Sequence, residues 1–335
     1  MKIIVPMAGM GKRMRPHTLT IPKPLIPIAG KPIVQRLVED IAAVCEDKID
    51  EIAFIIGDFG KEAEDRLIAV AESLGAKGTI CHQDEALGTA HAIYCAKEAL
   101  TGPVIVAFAD TLFKADFKLD SSKGGTIWVQ KVEDPRAFGV VKIDKDNNIT
   151  DFVEKPEEFV SDLAIIGIYF FKDGDMLRDE IKYLLDNNIT DKGEFQLTDA
   201  LENMKAKGIK FAPGEVEEWL DCGNKNATVY TNQRILELIK EKETLVSKSA
   251  KIENSVIIEP CYIGENAVIK NAVVGPHVSI GANSCIEDSI VKNAIIQTNT
   301  SIKTSNIRNS MIGNFASYSD AAKELSIGDY CTQEA

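Results

Sequence analysis

Three cations, Lys12, Arg13 and Arg15, follow directly on two glycines, Gly9 and Gly11, and a fourth, Lys23, stands between Pro22 and Pro24. Glycines let a bare backbone lay its N–H groups against an anion, and clustered cations are the side-chain complement of that arrangement. The two prolines stiffen the chain around Lys23 and favour extended geometry at the residue before each ring. The set suits a ligand with more than one phosphate. Residues 3–7 form an apolar run of buried-strand length, so the glycines and cations would sit at a strand's end. A Walker A loop is excluded, because it needs Gly at Pro6 and Ser or Thr at Arg13. A dinucleotide fingerprint is excluded as well, since its third glycine would fall at Met14.

Two lone carboxylates complete the reactive set. Asp110 follows the apolar run 104–108, and Asp221 closes the strand-like segment 219–223. Between the cations and these acids the chain alternates helix and strand signals. Ile33, Leu37, Ile41 and Val44 recur at helical spacing, 52–56 reads as a strand, Ala63, Leu67, Val70 and Leu74 give a helix, and 79–81 a strand. A helix over 89–100 then leads into 104–108, whose unbroken apolar character suits a parallel strand covered on both faces. Gly9, Gly11, Gln83 and Asp110 each lie just past a strand's end. Open parallel sheets bind ligands in the crevice at those ends, so the separate pieces converge on one expected pocket. Beyond Asp110, segments 126–132, 140–143, 149–153 and 164–171 read as strands, 144–148 as a hairpin turn, and 173–185 and 197–207 as helices.

At 335 residues with 45% hydrophobic content, the chain has the length of two globular domains. Its net charge of −13 makes nucleic acid and anionic membrane poor partners. The seven cysteines contain no C-x-x-C pair, which disfavours zinc sites and points to reduced thiols in a cytoplasmic protein. No segment reaches membrane-spanning length. The four histidines, at 17, 82, 91 and 277, show no metal spacing.

The last third has its own period. Ile252, Ile269, Ile286 and Ile302 are separated by 17, 17 and 16 residues; Ile257, Val274, Val291 and Ile307 by 17, 17 and 16; Ile263, Ile280, Ile296 and Ile312 by 17, 16 and 16. Three interleaved ladders with inner steps of five or six residues, several marked by Ile-Gly or Val-Gly, describe a hexapeptide repeat and hence a parallel β-helix of about four coils. The expected organisation is a catalytic domain at 1–227, a linker helix at 228–245, a left-handed β-helix at 246–316 and a tail at 317–335.

With these segments in place, the chain resembles the sugar nucleotidyltransferase family, also called nucleoside-diphosphate-sugar pyrophosphorylases, and within it glucose-1-phosphate thymidylyltransferases and uridylyltransferases. The resemblance rests on 9–18 with Pro22, Lys23 and Pro24, and on 83–90, 108–110, 138–141, 154–156, 193–199 and 219–223. It implies an α/β fold with a Rossmann-like, mixed but mainly parallel sheet and helices on both faces. It also implies transfer of a nucleotidyl group from a nucleoside triphosphate to a sugar 1-phosphate with release of pyrophosphate, and a homo-oligomer. Ala8, Gly9, Gly11, Lys12, Gln83, Gly88 and Thr89 would then bind nucleotide, and Gly139, Glu154, Lys155 and Gly167 the sugar phosphate. Mg²⁺ would be held by Asp110 and Asp221, because this hard cation takes a few carboxylates plus substrate phosphates.

The chemistry explains the cation set. A sugar phosphate must approach a triphosphate that is itself strongly negative, and each like-charge pair at ~4 Å costs roughly 4 kcal/mol at an effective dielectric of about 20. Arg13 is therefore assigned to the leaving pyrophosphate, Lys23 to the α-phosphate, and Lys155 to the sugar phosphate. Gln83 is expected to read the base edge, its amide both donating to a carbonyl and accepting from a ring N–H, which matches thymine or uracil. The chain departs from the family pattern at Lys12, His17, Asp162 and Asn224, and Asp162 bears on sugar preference. Three other readings compete. A catalytically silent regulatory subunit would have lost one of Arg13, Lys23, Asp110, Lys155 or Asp221. An ATP- or GTP-using transferase would read the base differently. A bifunctional uridylyl and acetyl transferase would need a longer β-helix and a loop for acyl-CoA.

Overall fold

The computed structural model describes residues 1–114, 119–120, 123–321 and 323–332; of the expected tail, residues 322 and 333–335 lie outside them. The chain forms two compact units, Met1–Ile26 with Lys31–Ala227 and Pro27–Gly30 with Thr228–Ala335. Among the described residues no helix is long and apolar enough to cross a membrane.

The first unit is built on a nine-stranded mixed sheet. Its elements are β1 (Lys2–Pro6), α1 (Ile33–Val44), β2 (Glu51–Ile56), α2 (Lys61–Ser73), β3 (Lys77–His82), α3 (Thr89–Tyr94), β4 (Val104–Ala107), β5 (Thr111–Lys114), β6 (Gly125–Lys131), β7 (Gly139–Ile143), β8 (Ile149–Glu154), β9 (Leu163–Phe171), α4 (Gly174–Asp186), α5 (Leu197–Ala206), β10 (Phe211–Glu215) and β11 (Glu218–Asp221). The spatial order is β8-β7-β9-β4-β1-β2-β3, with β6 and then β10 branching from β9. Strands β4, β1, β2 and β3 run parallel, and β9 is antiparallel to β4.

Alternation along the parallel strands explains why both faces are covered. Ile4 is level with Ala53 and Val106, and this row joins a core with Ile93, Leu177, Ile181 and Leu201 of α3, α4 and α5. Ile3 is level with Ile52 and Ile105, and that row turns to the other face, where Gly78 of β3 lies against the backbone of Ile68 in α2. Residues 3, 4, 52, 53, 105 and 106 are all buried, as unbroken apolar runs require.

One sequence expectation is corrected, and two strands escaped it. The helix expected over 89–100 ends at Tyr94, and Ala96, Lys97, Ala99 and Leu100 continue as tight turns with N–H donors bonding three residues back. Strand β10 escapes a sequence reading because Pro213 and Gly214 lie inside it; it pairs only with β6, and an edge strand tolerates proline. Strand β5 is too short to stand out, yet its antiparallel partner β11 carries Asp221.

In the second unit the three ladders are realised residue for residue. Ile252, Ile269, Ile286 and Ile302 are successive register partners in one parallel sheet. Ile257, Val274, Val291 and Ile307 stack likewise, as do Ile263, Ile280, Ile296 and Ile312. Apart from Ile252, which is exposed in the first coil, their inward side chains form or pack against a single core, so the segment is a parallel β-helix. Ser317–Ser319 adds a further strand on Ser301–Lys303. Asn254, Asn271 and Asp288 sit at left-handed corners, and the Asn254 and Asn271 amides each donate to the next residue of the column. Helix α6 (Lys225–Ile239), from Thr228 onward, packs within this unit: Asn232 Oδ1 accepts from Ser279 Oγ and from the Ala29 N–H.

Candidate active site

A cleft of ≈ 440 Å³ opens at the carboxyl ends of the parallel strands, lined by Ala8, Gly9, Gly11, Lys12, Arg13, Lys23, Gln83, Gly88, Thr89 and Asp110, among others. The glycine-and-cation loop, Gln83 and Asp110 are thus brought together. Gly11 turns the chain at φ 56°, and a side chain there would press Lys23 and Thr18 at 3.0 Å. The backbone N–H groups of Ala8, Gly9, Met10 and Gly11 have no partner among the described residues, and the exposed side chains of Lys12 and Arg13 make no hydrogen bond or close ion pair among them. Consecutive N–H groups without a partner, beside two exposed cations, are a concavity of the kind that can take an anion.

Lys23 is nearly buried, and its Nζ lies 2.9 Å from Asp110 Oδ2. Asp110 and Asp221 are placed by the β5–β11 pairing, in which Asp221 is level with Thr111 and the Cys222 N–H donates to the Asp110 carbonyl at 2.9 Å. Burial, followed by the nearby Asp110 charge, raises the Asp221 carboxyl above its usual range; a hydrogen bond from the Gly223 N–H and the charges of Lys23 and Arg13 oppose that rise. Arg13, Lys23, Asp110 and Asp221 therefore share one electrostatic neighbourhood. Among the described residues no cluster of three or more His, Cys, Asp or Glu forms a metal cage.

Gly139, Glu154, Lys155, Gly167 and Asp221 are not lining residues of the cleft but connect to it. Gly139 faces Glu154 across β7 and β8, Lys155 Nζ is 3.2 Å from Glu154 Oε1, and the Lys155 N–H donates to the Phe138 carbonyl. The Phe138 ring meets Trp219 edge to face at 5.1 Å, two residues before Asp221. Gly167 accepts at its carbonyl from the Phe108 N–H, at a register shift in β9. Burial pushes the Tyr169 hydroxyl up, with the charges of Glu154 and Asp110 adding to the effect.

Gln83 does not present a two-way amide. Its Nε2 lies 3.4 Å from the Gly88 carbonyl and 3.2 Å from His91 Nδ1, which engages the donor end and leaves Oε1 as the free function. The Gly88 N–H has no partner among the described residues. Thr89 lines the cleft, but its hydroxyl accepts from the Leu197 N–H and lies 3.3 Å from Gln196 Oε1. Asn224 caps α6 through the N–H groups of Asn226 and Ala227, and Asp162 lies near Lys131 at the surface.

Glu194 was not assigned a role from sequence, yet it lines the cleft. Asp199 lies in the same stretch but does not line the cleft; burial, then Asp191, Glu154 and Glu202, raise its carboxyl. What hid Glu194 is that the stretch 193–199 meets the cleft by docking on 87–90. There the Phe195 N–H donates to the Leu87 carbonyl at 2.8 Å, and the Ala90 N–H to the Phe195 carbonyl at 3.0 Å.

A family profile described as nucleotidyl transferase matches residues 2–237. The low-salt glycan biosynthesis nucleotidyltransferase Agl11 of Haloferax volcanii is 33% identical over 266 residues, covering 76% of this chain and 72% of that one. The bifunctional protein GlmU of Methanocaldococcus jannaschii is 32% identical over 264 residues, covering 77% of this chain but only 60% of its own length. A UDP-glucose pyrophosphorylase solved with UDP-glucose superposes with a TM-score of 0.58 at 23% identity, covering 71% of this chain and 98% of that one. A putative glucose-1-phosphate thymidylyltransferase from Bacillus anthracis gives 0.58 at 24%, covering 72% and 96%. At these identities the two structures speak for the fold; the profile, which spans the glycine-and-cation loop, Gln83 and both aspartates, together with the relatives, establishes that the chain belongs to the nucleotidyl transferase family.

Proposed function

We propose that the protein transfers a nucleotidyl group from dTTP or UTP to glucose 1-phosphate, giving the nucleoside-diphosphate sugar and pyrophosphate. The observation that carries the reading is the row of free N–H groups at Ala8, Gly9 and Gly11 beside Lys12 and Arg13, set at the mouth of a cleft that also holds Gln83. Such a row takes the triphosphate, with Arg13 on the departing β and γ phosphates and Lys23 at the α-phosphorus. An oxygen of the sugar phosphate forms the new P–O bond as the bond to pyrophosphate breaks, and the substrate supplies its own nucleophile. Lys155 neutralises the sugar phosphate and Glu154 accepts from sugar hydroxyls.

Asp110 and Asp221 fit Mg²⁺: two neighbouring carboxylates, one of them raised by burial and then by the charge of the other, are a donor set that a hard cation relieves. When bound, the ion supplies charge neutralisation of the phosphates. For the base, Gln83 Oε1 accepts from a pyrimidine N3–H and the Gly88 N–H serves a flanking carbonyl. A methyl group contributes only about 1 kcal/mol of burial, so dTTP should lead UTP by roughly tenfold or less. A screen of the common triphosphates against sugar 1-phosphates, read by pyrophosphate release, tests the assignment. Efficient use of GTP or ATP above both pyrimidines would overturn it.

A further inference from the structure

His91 is a first-turn residue of α3 that does not line the cleft, yet its Nδ1 lies 3.2 Å from Gln83 Nε2. The same Nε2 lies 3.4 Å from the Gly88 carbonyl, whose position is fixed because it also accepts the Ala92 N–H at 3.0 Å. A carbonyl only accepts, so it decides which end of the amide faces inward, and His91 must then carry its proton on Nε2 and accept at Nδ1. Two acceptors hold the two amide hydrogens. Turning the amide over would set Oε1 against both acceptors, leaving His91 Nδ1 without its donor and bringing the Gly88 carbonyl, already held by the Ala92 N–H, against a second oxygen.

We infer that His91 is a positioning residue for base selection: it holds the Gln83 amide with Oε1 toward the cleft, so that the site accepts a base with N–H at ring position 3 and rejects one with a lone pair there. The inference rests on the reading of Gln83 as the residue that meets the base. Uracil and thymine carry N3–H, whereas cytosine presents an unprotonated N3, and Oε1 facing it pairs acceptor with acceptor. UTP against CTP is therefore the comparison that His91 controls. It acts only through Gln83, since it makes no part of the cleft wall.

The test measures kcat/KM for UTP and CTP at fixed glucose 1-phosphate in the intact protein and in His91→Leu, His91→Asn, Gln83→Leu and the Gln83→Leu/His91→Leu double variant. The UTP preference should narrow about tenfold in His91→Leu, equivalent to ~1.4 kcal/mol, through the nucleotide KM rather than kcat. His91→Asn, which restores a side-chain acceptor, should recover most of the preference, and His91→Leu should change nothing further once Gln83 is Leu. Thermal melts check folding, and His91→Phe serves as a second variant without an acceptor. An intact UTP preference left unchanged by His91→Leu and His91→Phe overturns the inference alone, as does a loss of equal size in the Gln83→Leu background. A parent protein that uses CTP as well as UTP, with Gln83→Leu indistinguishable from it, overturns the base-site reading and the inference together.

Discussion

Gly88 and Gly60 occupy the same sparsely populated region of backbone space, at φ 115°, ψ 176° and φ 77°, ψ 160°, yet their surroundings are opposite. A Cβ at Gly60 meets nothing within 4 Å, whereas one at Gly88 would lie 2.4 Å from the Phe195 carbonyl oxygen and 2.6 Å from the Phe195 nitrogen. Gly60→Ala should therefore cost only the conformational strain, about 1–3 kcal/mol. Gly88→Ala bears the same strain and must also force two backbone segments apart, a further ~2 kcal/mol. At roughly 3 °C per kcal/mol for a domain of this size, the Gly88→Ala melting midpoint should lie ~6 °C below that of Gly60→Ala. The same displacement moves the Gly88 N–H and the anchor of Gln83, so nucleotide KM should rise in Gly88→Ala and stay near the parent value in Gly60→Ala. Differential scanning fluorimetry and initial-rate kinetics on the two variants suffice. Equal melting midpoints with equal KM would show that the 87–90 and 195–197 segments are not pressed together as described, and the argument for a preformed base site would fall with them.

Asp110→Asn and Asp221→Asn should each lower turnover by orders of magnitude while leaving the melting midpoint within a few degrees; near-normal Mg²⁺-dependent turnover in either would remove that residue as a ligand. Arg13→Ala should mainly damage triphosphate use and Lys155→Ala mainly raise the KM for sugar phosphate, because they come from different strands' ends; equal effects on both substrates would undo the division. Hydrogen bonds from Arg136 hold the exposed Asp134 carboxyl down at about 2. A depressed carboxylate stabilises the fold above its unfolded value, and the contribution is lost as pH falls toward the folded one, here from about pH 4 to about pH 2. The gap in midpoint between the parent and Asp134→Asn, measured at pH 6 and pH 3, should narrow at the lower pH; a gap that widens would reverse the sign.

The β-helix was legible because its physics is one-dimensional: a residue buried only by its counterpart one coil away must recur at coil length. Even the irregularity could be read. The ladders change from 17 to 16 between Val291 and Ile296, and there the corner occupied by Gly275, Pro276 and His277 in the preceding coil loses one residue, so that Ile290–Ile296 runs as one strand. In the first unit, Gly9, Gly11, Gln83 and Asp110 were convergent in sequence because parallel sheets place strand ends together. What stayed hidden depends on contacts distant in sequence. Glu194 reaches the cleft through docking of Phe195 on 87–90, Trp219 meets Phe138, and the Gln83 amide is engaged by the Gly88 carbonyl and by His91 eight residues away. Periodicity reports which face a residue occupies, not what its polar end touches.

A column whose layers bury one another has no centre in the ordinary sense, only a middle and two ends. Ile286, flanked by Ile269 and Ile302, has a layer on each side, whereas the last coil carries Phe315 at 78% exposure and Tyr318 at 46%. Opening a terminal layer exposes one interface, and opening a central one exposes two. Amide hydrogen exchange should accordingly show a gradient along the column, with the slowest protons in the coil of Ile286 and progressively faster exchange toward Ser317–Ser319. The column melts by fraying, and the number of its coils sets how long its middle stays closed.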